Sequence, residues 1–384
     1  MRAVVRSLRR ASAAGFTALG GWAPGVLIAV VLAALARLLA QGLAQGAIGM
    51  PKVPLSPVMC AVLLGMLWRN TLGVPAWATR GLDWTMHRLL RVGIALVGLR
   101  LTLGGATSIA ITALPVALTC LSVALLAGLG ISRSLDVPRR LGLLLAVGTA
   151  VCGCTAVVAM SPVIKARHAE TAFAVTCVVL FGCIAMLLYP WVAGHVFAGS
   201  PVHAGIFLGT AIHDTSQVIG AALIYSQQAA APAALAAASV AKLLRNLSIA
   251  VLIPAAAWLT RRQEAAIARE STVPDSAATA APPDAGRPPV VPAFVLAFLG
   301  FIVLRTAGDA FTAPGSSMWQ AVVNTGYTAS DLFLTCGMTA VGLSVAFTDM
   351  WRIGWRPLAA GFVVATLVGG CSLLLTFSIL HYLH

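Results

Sequence analysis

Apolar residues in this chain run in long blocks, without the strict alternation of a half-buried strand. The blocks fall at about residues 22–40, 53–68, 89–104, 110–131, 141–164, 171–190, 204–226, 234–259, 290–307, 327–348 and 357–380. Most approach the ~20 residues that a helix needs to cross a hydrocarbon layer. Lipid offers no partner to backbone N–H and C=O groups, so repeated apolar blocks predict helices, which satisfy those groups internally. The pattern predicts an all-α polytopic membrane protein with about 9–11 transmembrane segments.

Two blocks are poor simple spans. Residues 141–164 contain GTAVCGCTA and residues 204–226 contain GTAIHDTSQ, with glycine and small polar residues at their centres. A break there frees backbone groups, which must be buried in protein or line a wet cavity. Broken through-going helices and re-entrant hairpins both meet that need, and the pattern leaves the choice open.

Composition agrees with the pattern: 59% of residues are hydrophobic and 9% charged, against about 25% charged in soluble domains. The net charge of +14 does not point to nucleic acid, because the basic residues sit in short loops between apolar blocks, the positive-inside pattern. A cytoplasmic N-terminus, residues 1–21, places Arg69/Arg80/Arg88/Arg91, Arg133/Arg139/Arg140, Arg261/Arg262/Arg269 and Arg352/Arg356 on the cytoplasmic side. The loop Lys165–His168 joins them only if 141–164 dips in and returns, and 204–226 must then dip from the opposite face. The basic N-terminus lacks a convincing cleavage site, so the first block is read as a retained helix. The membrane bundle occupies 22–260 and 290–384. Between them, 261–289 is rich in Ala, Pro, Asp and Arg and reads as a flexible cytoplasmic linker. The eight cysteines all lie in apolar blocks, which suits buried thiols better than a disulfide framework.

A weak internal repeat is present. GIALVGLRLTL (Gly93–Leu103) and GMTAVGLSVAF (Gly337–Phe347) share both glycines, the valine and the leucine at identical offsets. By loop counting the first runs outward and the second inward, an arrangement expected of inverted-repeat transporters. The same glycines also suit close helix packing.

Candidate chemistry gathers at the two breaks and on one later helix. His213-Asp214 sits in an otherwise membrane-grade stretch, and Asp214 reads as the only carboxylate inside a membrane segment. An ionised carboxylate there costs at least ~2.5–3.5 kcal/mol, which favours an ion or substrate path. Asp214, Thr215 and Ser216 are also good helix starters. In the first break Gly153 allows a turn between Cys152 and Cys154, and Thr155 offers a hydroxyl beside free N–H groups that suit an anion. The cysteine spacing does not fit zinc, and no metal or cofactor is expected. Lys242 and Arg245 share a helical face beside Asn246 and need Asp214, a bound anion or the interface as partner. Arg100 and Arg305 read as snorkelling residues. The expected substrate-binding set is Cys152, Gly153, Thr155, His213, Asp214, Gln217, Lys242 and Arg245, with Asp214 or His213 taking up a coupling proton.

These motifs carry a resemblance. Cys152-Gly153-Cys154-Thr155-Ala156, His213-Asp214-Thr215-Ser216-Gln217-Val218, and Lys242-Leu243-Leu244-Arg245 followed by Pro254 resemble a bacterial family of conserved multipass inner-membrane proteins classed as sulfate exporters. Arg88–Leu103 matches its style, and the resemblance covers roughly residues 50–380. Asp214, where the family more often has glutamate, and Cys154-Thr155, where Ala-Ser is more usual, are mild departures. The resemblance implies a transporter.

The expectation is thus a secondary transporter in a bacterial inner membrane, exporting a small anion such as sulfate or a sulfonate from a mid-membrane site. It is not expected to be an enzyme. Its partners would be the anion, a coupling proton or sodium ion and the bilayer, with no nucleic acid; a homodimer is one assembly the sequence admits. A sodium- or proton-coupled carrier of small organic acids is the rival reading, and an intramembrane enzyme the second.

Overall fold

The computed structural model describes residues 21–45, 56–248, 251–252, 255, 293–312, 316–346, 348 and 354–382. The expected linker and most of the cytoplasmic N-terminus lie outside them, as does Pro254. The described residues form helices and connections, without a strand. The helices are α1 (Ala23–Gln45), α2 (Pro57–Thr71), α3 (Ala76–Trp84), α4 (Leu90–Val97), α5 (Leu103–Ser134), α6 (Arg139–Ala150), α7 (Cys154–Val163), α8 (His168–Val196), α9 (Pro201–Ala211), α10 (Thr215–Gln228), α11 (Ala233–Leu247), α12 (Ala293–Phe311), α13 (Ser317–Ser344) and α14 (Trp355–Tyr382). A π-turn (Thr85–Leu89) joins α3 to α4, and a 3-10 turn (Gly98–Arg100) ends α4. Five helices (α1, α5, α8, α12 and α14) are long and apolar enough to cross a membrane. The protein is an all-α multipass membrane protein.

The breaks fall where glycine and polar residues predicted them, and both segments fold back on themselves. α6 runs antiparallel to α5, with Gly142 against Ser132 and Gly128 against Ala146. A Cβ on Gly148 would lie 2.7 Å from Val157 Cγ2, so α7 turns back beside α6. The Ser161 and Thr171 hydroxyls, 2.5 Å apart, then link the end of α7 to the start of α8. In the second segment Gly205 packs on Ala234 and Ala237, and Gly209 on Ala238 and Ala241, so α9 and α11 run parallel. Only residues 229–232 separate α10 from α11, which requires α10 to return to the level where α9 began.

These are therefore two helical hairpins rather than through-going broken helices. α8, 29 residues or roughly 43 Å long, crosses between them, so they enter from opposite faces. The re-entrant reading of 141–164 and 204–226 is the one the packing adopts. The first hairpin's ends bring Lys165 and Arg167 to the same face as Arg133, Arg139 and Arg140. Arg356 at the start of α14 lies 3.9 Å from Asp136 on that same face.

The hairpins and α11 form the centre: Gln217–Ser226 of α10 and Ala234–Leu243 of α11 are buried. Outer helices leave Leu35, Ile111, Leu126, Leu188 and Leu374 exposed, as lipid-facing surfaces do. The glycines that open the two similar motifs lie at one helix crossing. Gly93 packs on Leu334 and Gly337 on Leu90, while Leu99 meets Gly326, so α4 and α13 run antiparallel with reciprocal contacts. The Ser330 hydroxyl donates to Gly93 O at 2.9 Å across this crossing.

Candidate functional site

The hairpin tips meet. Gly153 has φ 72°, in the left-handed region that favours glycine. A Cβ there would lie 2.7 Å from Asp214 Oδ2, so the second tip occupies the space a side chain would need. Asp214 caps α10: its Oδ1 accepts from Ser216 N at 2.9 Å and from the Ser216 hydroxyl at 2.5 Å. Oδ2 has no partner among the described residues. The helix-cap reading of Asp214 and the reading as a membrane-embedded carboxylate both hold.

Helix ends explain the rest of the tip. The last carbonyls of any helix lack intrahelical donors and carry the negative end of its dipole. Here α6 and α9 end side by side in the interior. Lys242 and Arg245, 0% and 1% exposed, fill that gap from α11. Lys242 Nζ donates to Val151 O at 2.8 Å, Ile212 O at 3.1 Å and His213 O. Arg245 donates Nε to Ala150 O (3.1 Å), Nη1 to Thr210 O (2.5 Å) and Ile212 O (3.3 Å), and Nη2 to Thr149 O (2.6 Å) and Ala150 O (2.8 Å). Every N–H of both cations is thus committed to backbone. Neither snorkels, and neither pairs with Asp214, whose nearest expected counter-charges they were. The i, i+3 spacing correctly put both on one helical face.

The opposite ends are the open ones. The N-termini of α7 and α10 start at the tips, and there Thr155 is exposed while Cys154, Asp214, Thr215 and Ser216 are half-buried. Asn246 Nδ2 donates to the Thr215 hydroxyl at 3.2 Å, tying α11 to the second tip. Gln217 is buried and turned away, donating to Val179 O at 3.0 Å and to Cys183 Sγ at 3.3 Å on α8. Cys152 is buried at the first tip.

His213 does not face Asp214. Its side chain points the other way, 1% exposed, toward a crevice lined by Leu145, Thr149, Cys177, Val178, Phe181 and Gly361. Neither ring nitrogen has a hydrogen-bond partner among the described residues. In extended backbone, consecutive side chains face opposite ways, and Ile212 and Asp214 both have extended dihedrals. All eight sequence-predicted residues gather at the tips, but Thr155 and Asp214 alone among them present polar atoms to open space.

Two expectations are corrected away from the tips. Asp214 is not the only carboxylate within a membrane segment: Asp331 lies in the middle of the uninterrupted 28-residue α13. Arg100 does not snorkel but donates Nη2 to Asp331 Oδ1 at 2.8 Å. Arg305 likewise pairs with Asp309 at 2.7 Å and donates to the Tyr327 hydroxyl at 2.6 Å. Asp331 sits within block 327–348 in the sequence, so the signal was present. Its partner lies 231 positions away, and no local spacing rule joins them. Among the described residues no group of His, Cys, Asp or Glu could hold a metal ion.

Comparison with known proteins places this fold among membrane proteins. The sequence model of the family described as conserved hypothetical protein 698 matches residues 24–361. A UPF0324 membrane protein of Ralstonia nicotianae is 33% identical over 323 residues, covering 82% of this chain and 84% of that protein. A UPF0324 membrane protein of Pseudomonas putida is 32% identical, covering 82% and 83% of the two chains. One from Bacillus cereus is 27% identical, covering 89% and 88%. No solved structure matches the chain.

Proposed function

The chain belongs to the family of membrane proteins described as conserved hypothetical protein 698, and from that premise we propose that it is a secondary transporter, exporting a small anion such as sulfate or a sulfonate by alternating access at the hairpin tips. The observation that carries this reading is the unequal treatment of the four helix ends. The two C-terminal ends are neutralised by Lys242 and Arg245. The two N-terminal ends, which bind anions, open to space with a single carboxylate between them.

In this reading the anion meets the N–H groups that start α7 and the hydroxyls of Thr155 and Thr215. Lys242 and Arg245 hold the tips in place and supply a positive field without touching the substrate. Gly153 and Cys152 shape the first tip. Asp214, with Oδ2 free, is the coupling group, taking a proton or sodium ion. The antiparallel crossing of α4 and α13 with reciprocal Gly–Leu contacts supports an inverted repeat. The basic residues gathered on one face support a plasma-membrane orientation with that face, and the N-terminus, in the cytoplasm.

A sodium- or proton-coupled carrier of small organic acids would use the same tips, and the dependence of flux on each gradient separates the two. An intramembrane enzyme is less well supported, because the His213 ring makes no hydrogen bond to a hydroxyl, thiol or carboxylate among the described residues.

Cys154 makes the reading testable. In a chain keeping Cys154 and lacking the other seven cysteines, a membrane-impermeant maleimide should label this thiol from either face. A saturating transported anion should slow labelling. Labelling from one face only, unaffected by every anion tried, would refute alternating access at the tips.

A further inference from the structure

Two guanidiniums among the described residues, those of Arg245 and Arg100, are largely buried, and they differ in how much of their donor capacity is used. Arg245 commits all five N–H groups to carbonyls. Arg100, its side chain 11% exposed, makes one hydrogen bond, to Asp331. Its Nε is buried without an acceptor. Four of its N–H groups therefore lack an acceptor among the described residues, and the one on Nε is buried, where an unpaired donor is costly.

The guanidinium is held in place. It lies over the Tyr327 ring, 4.9 Å from the centroid. The Tyr327 hydroxyl donates to Leu99 O at 3.2 Å and accepts from Arg305 Nη1 at 2.6 Å. Arg305 is fixed by Asp309, which also accepts from Trp319 Nε1 at 2.8 Å. A planar cation fixed on an aromatic face, with unused donors in one plane, suits two-point recognition of an oxyanion. The carboxylate now beside it is only half-committed: Asp331 is 35% exposed and engages one oxygen. The pair also borders the hairpin side of the molecule, since the 3-10 turn of Arg100 packs against α11, and α13 against α10.

We propose that Arg100 is an anion-binding residue, with Asp331 as the resting counter-ion that an incoming oxyanion or carboxylate displaces or joins. This rests on the anion-carrier reading and adds a second station to it, away from the tips and toward the face opposite the basic loops. The anion takes two of the free N–H groups of Arg100.

The test uses the full chain in detergent and follows thermal unfolding with sulfate, methanesulfonate or acetate, each against chloride at matched ionic strength. The wild-type protein should be stabilised by at least one of the three. Arg100→Gln should weaken that anion's apparent affinity about ten- to a hundredfold, as expected for losing a charge-assisted, two-point contact. Arg100→Lys, which keeps the charge and guards against a folding defect, should weaken it about tenfold. Asp331→Asn should bind at least as tightly as wild type, and the double variant should resemble Arg100→Gln. A wild-type protein indifferent to all three anions, an Arg100→Lys of unchanged affinity, or single variants equally damaged and restored in the double variant would each overturn the assignment. The last outcome would make the pair a structural tie. Because unfolding is read without flux, failure of transport would leave this result standing, and the reverse.

Discussion

Lys242 and Arg245 stand out in the sequence as charges inside an apolar block, and the sequence offers an anion as their natural partner. The structure gives them backbone carbonyls instead. Which acceptors they meet depends on two hairpins 29 to 96 residues away, and that is beyond any local pattern. Removing either should therefore act first on folding: Lys242→Met orphans the carbonyls of Val151 and His213, at about 1–3 kcal/mol each if both remain dry, and leaves Ile212 O to Arg245 alone. A thermal-unfolding series should show a large fall in Tm, and an unchanged Tm would return these residues to substrate binding. Asp214 should behave oppositely. Asp214→Asn keeps the cap on α10 but loses charge and proton uptake, so insertion and Tm should stay near wild type while net flux fails. Asp214→Glu should keep partial activity. Wild-type net flux and pH dependence in Asp214→Asn would reduce the residue to a cap. Gly153→Ala meets both a left-handed φ and Asp214 Oδ2, a cost on the order of 1–3 kcal/mol; transport rates compared with Gly153→Ser should show both variants impaired.

The two breaks were legible as elements because glycine and polar residues interrupt apolar runs, and lipid tolerates no such interruption on an exposed helix. Re-entry was half-legible, through the single basic loop at Lys165–Arg167. Packing then decided it, through Gly148 against Val157 and through Gly205 and Gly209 against α11. These glycines admit backbone contact that larger side chains forbid. Gly209→Leu should therefore part α9 from α11, and with it draw Thr210 O and Ile212 O away from Arg245. A lower Tm with reduced flux is the expected result, measured on purified protein; a Leu variant of unchanged stability would mean the hairpin is not held by this seam. The second carboxylate, Asp331, was readable in its block and overlooked because it sits in an unbroken helix. Only the tertiary pairing with Arg100 gives it meaning.

For the whole molecule, composition and block spacing were enough to establish a multipass helical protein. The proposed orientation rests on charge asymmetry, once the hairpins carry Lys165 and Arg167 to the face that holds Arg133, Arg139 and Arg140. Single-cysteine labelling in intact cells should find a thiol placed at Ala166 reachable only after the membrane is made permeable; the converse result would invert the topology. The most direct measurement of the central claim is counterflow of labelled sulfate, sulfite and small carboxylates in proteoliposomes, run side by side for wild type and Asp214→Asn, with and without proton and sodium gradients. Saturable wild-type flux and counterflow of at least one anion, with exchange retained but gradient-driven net flux lost in Asp214→Asn, is the predicted result. No saturable movement of any anion, or appearance of product without flux, would contradict it.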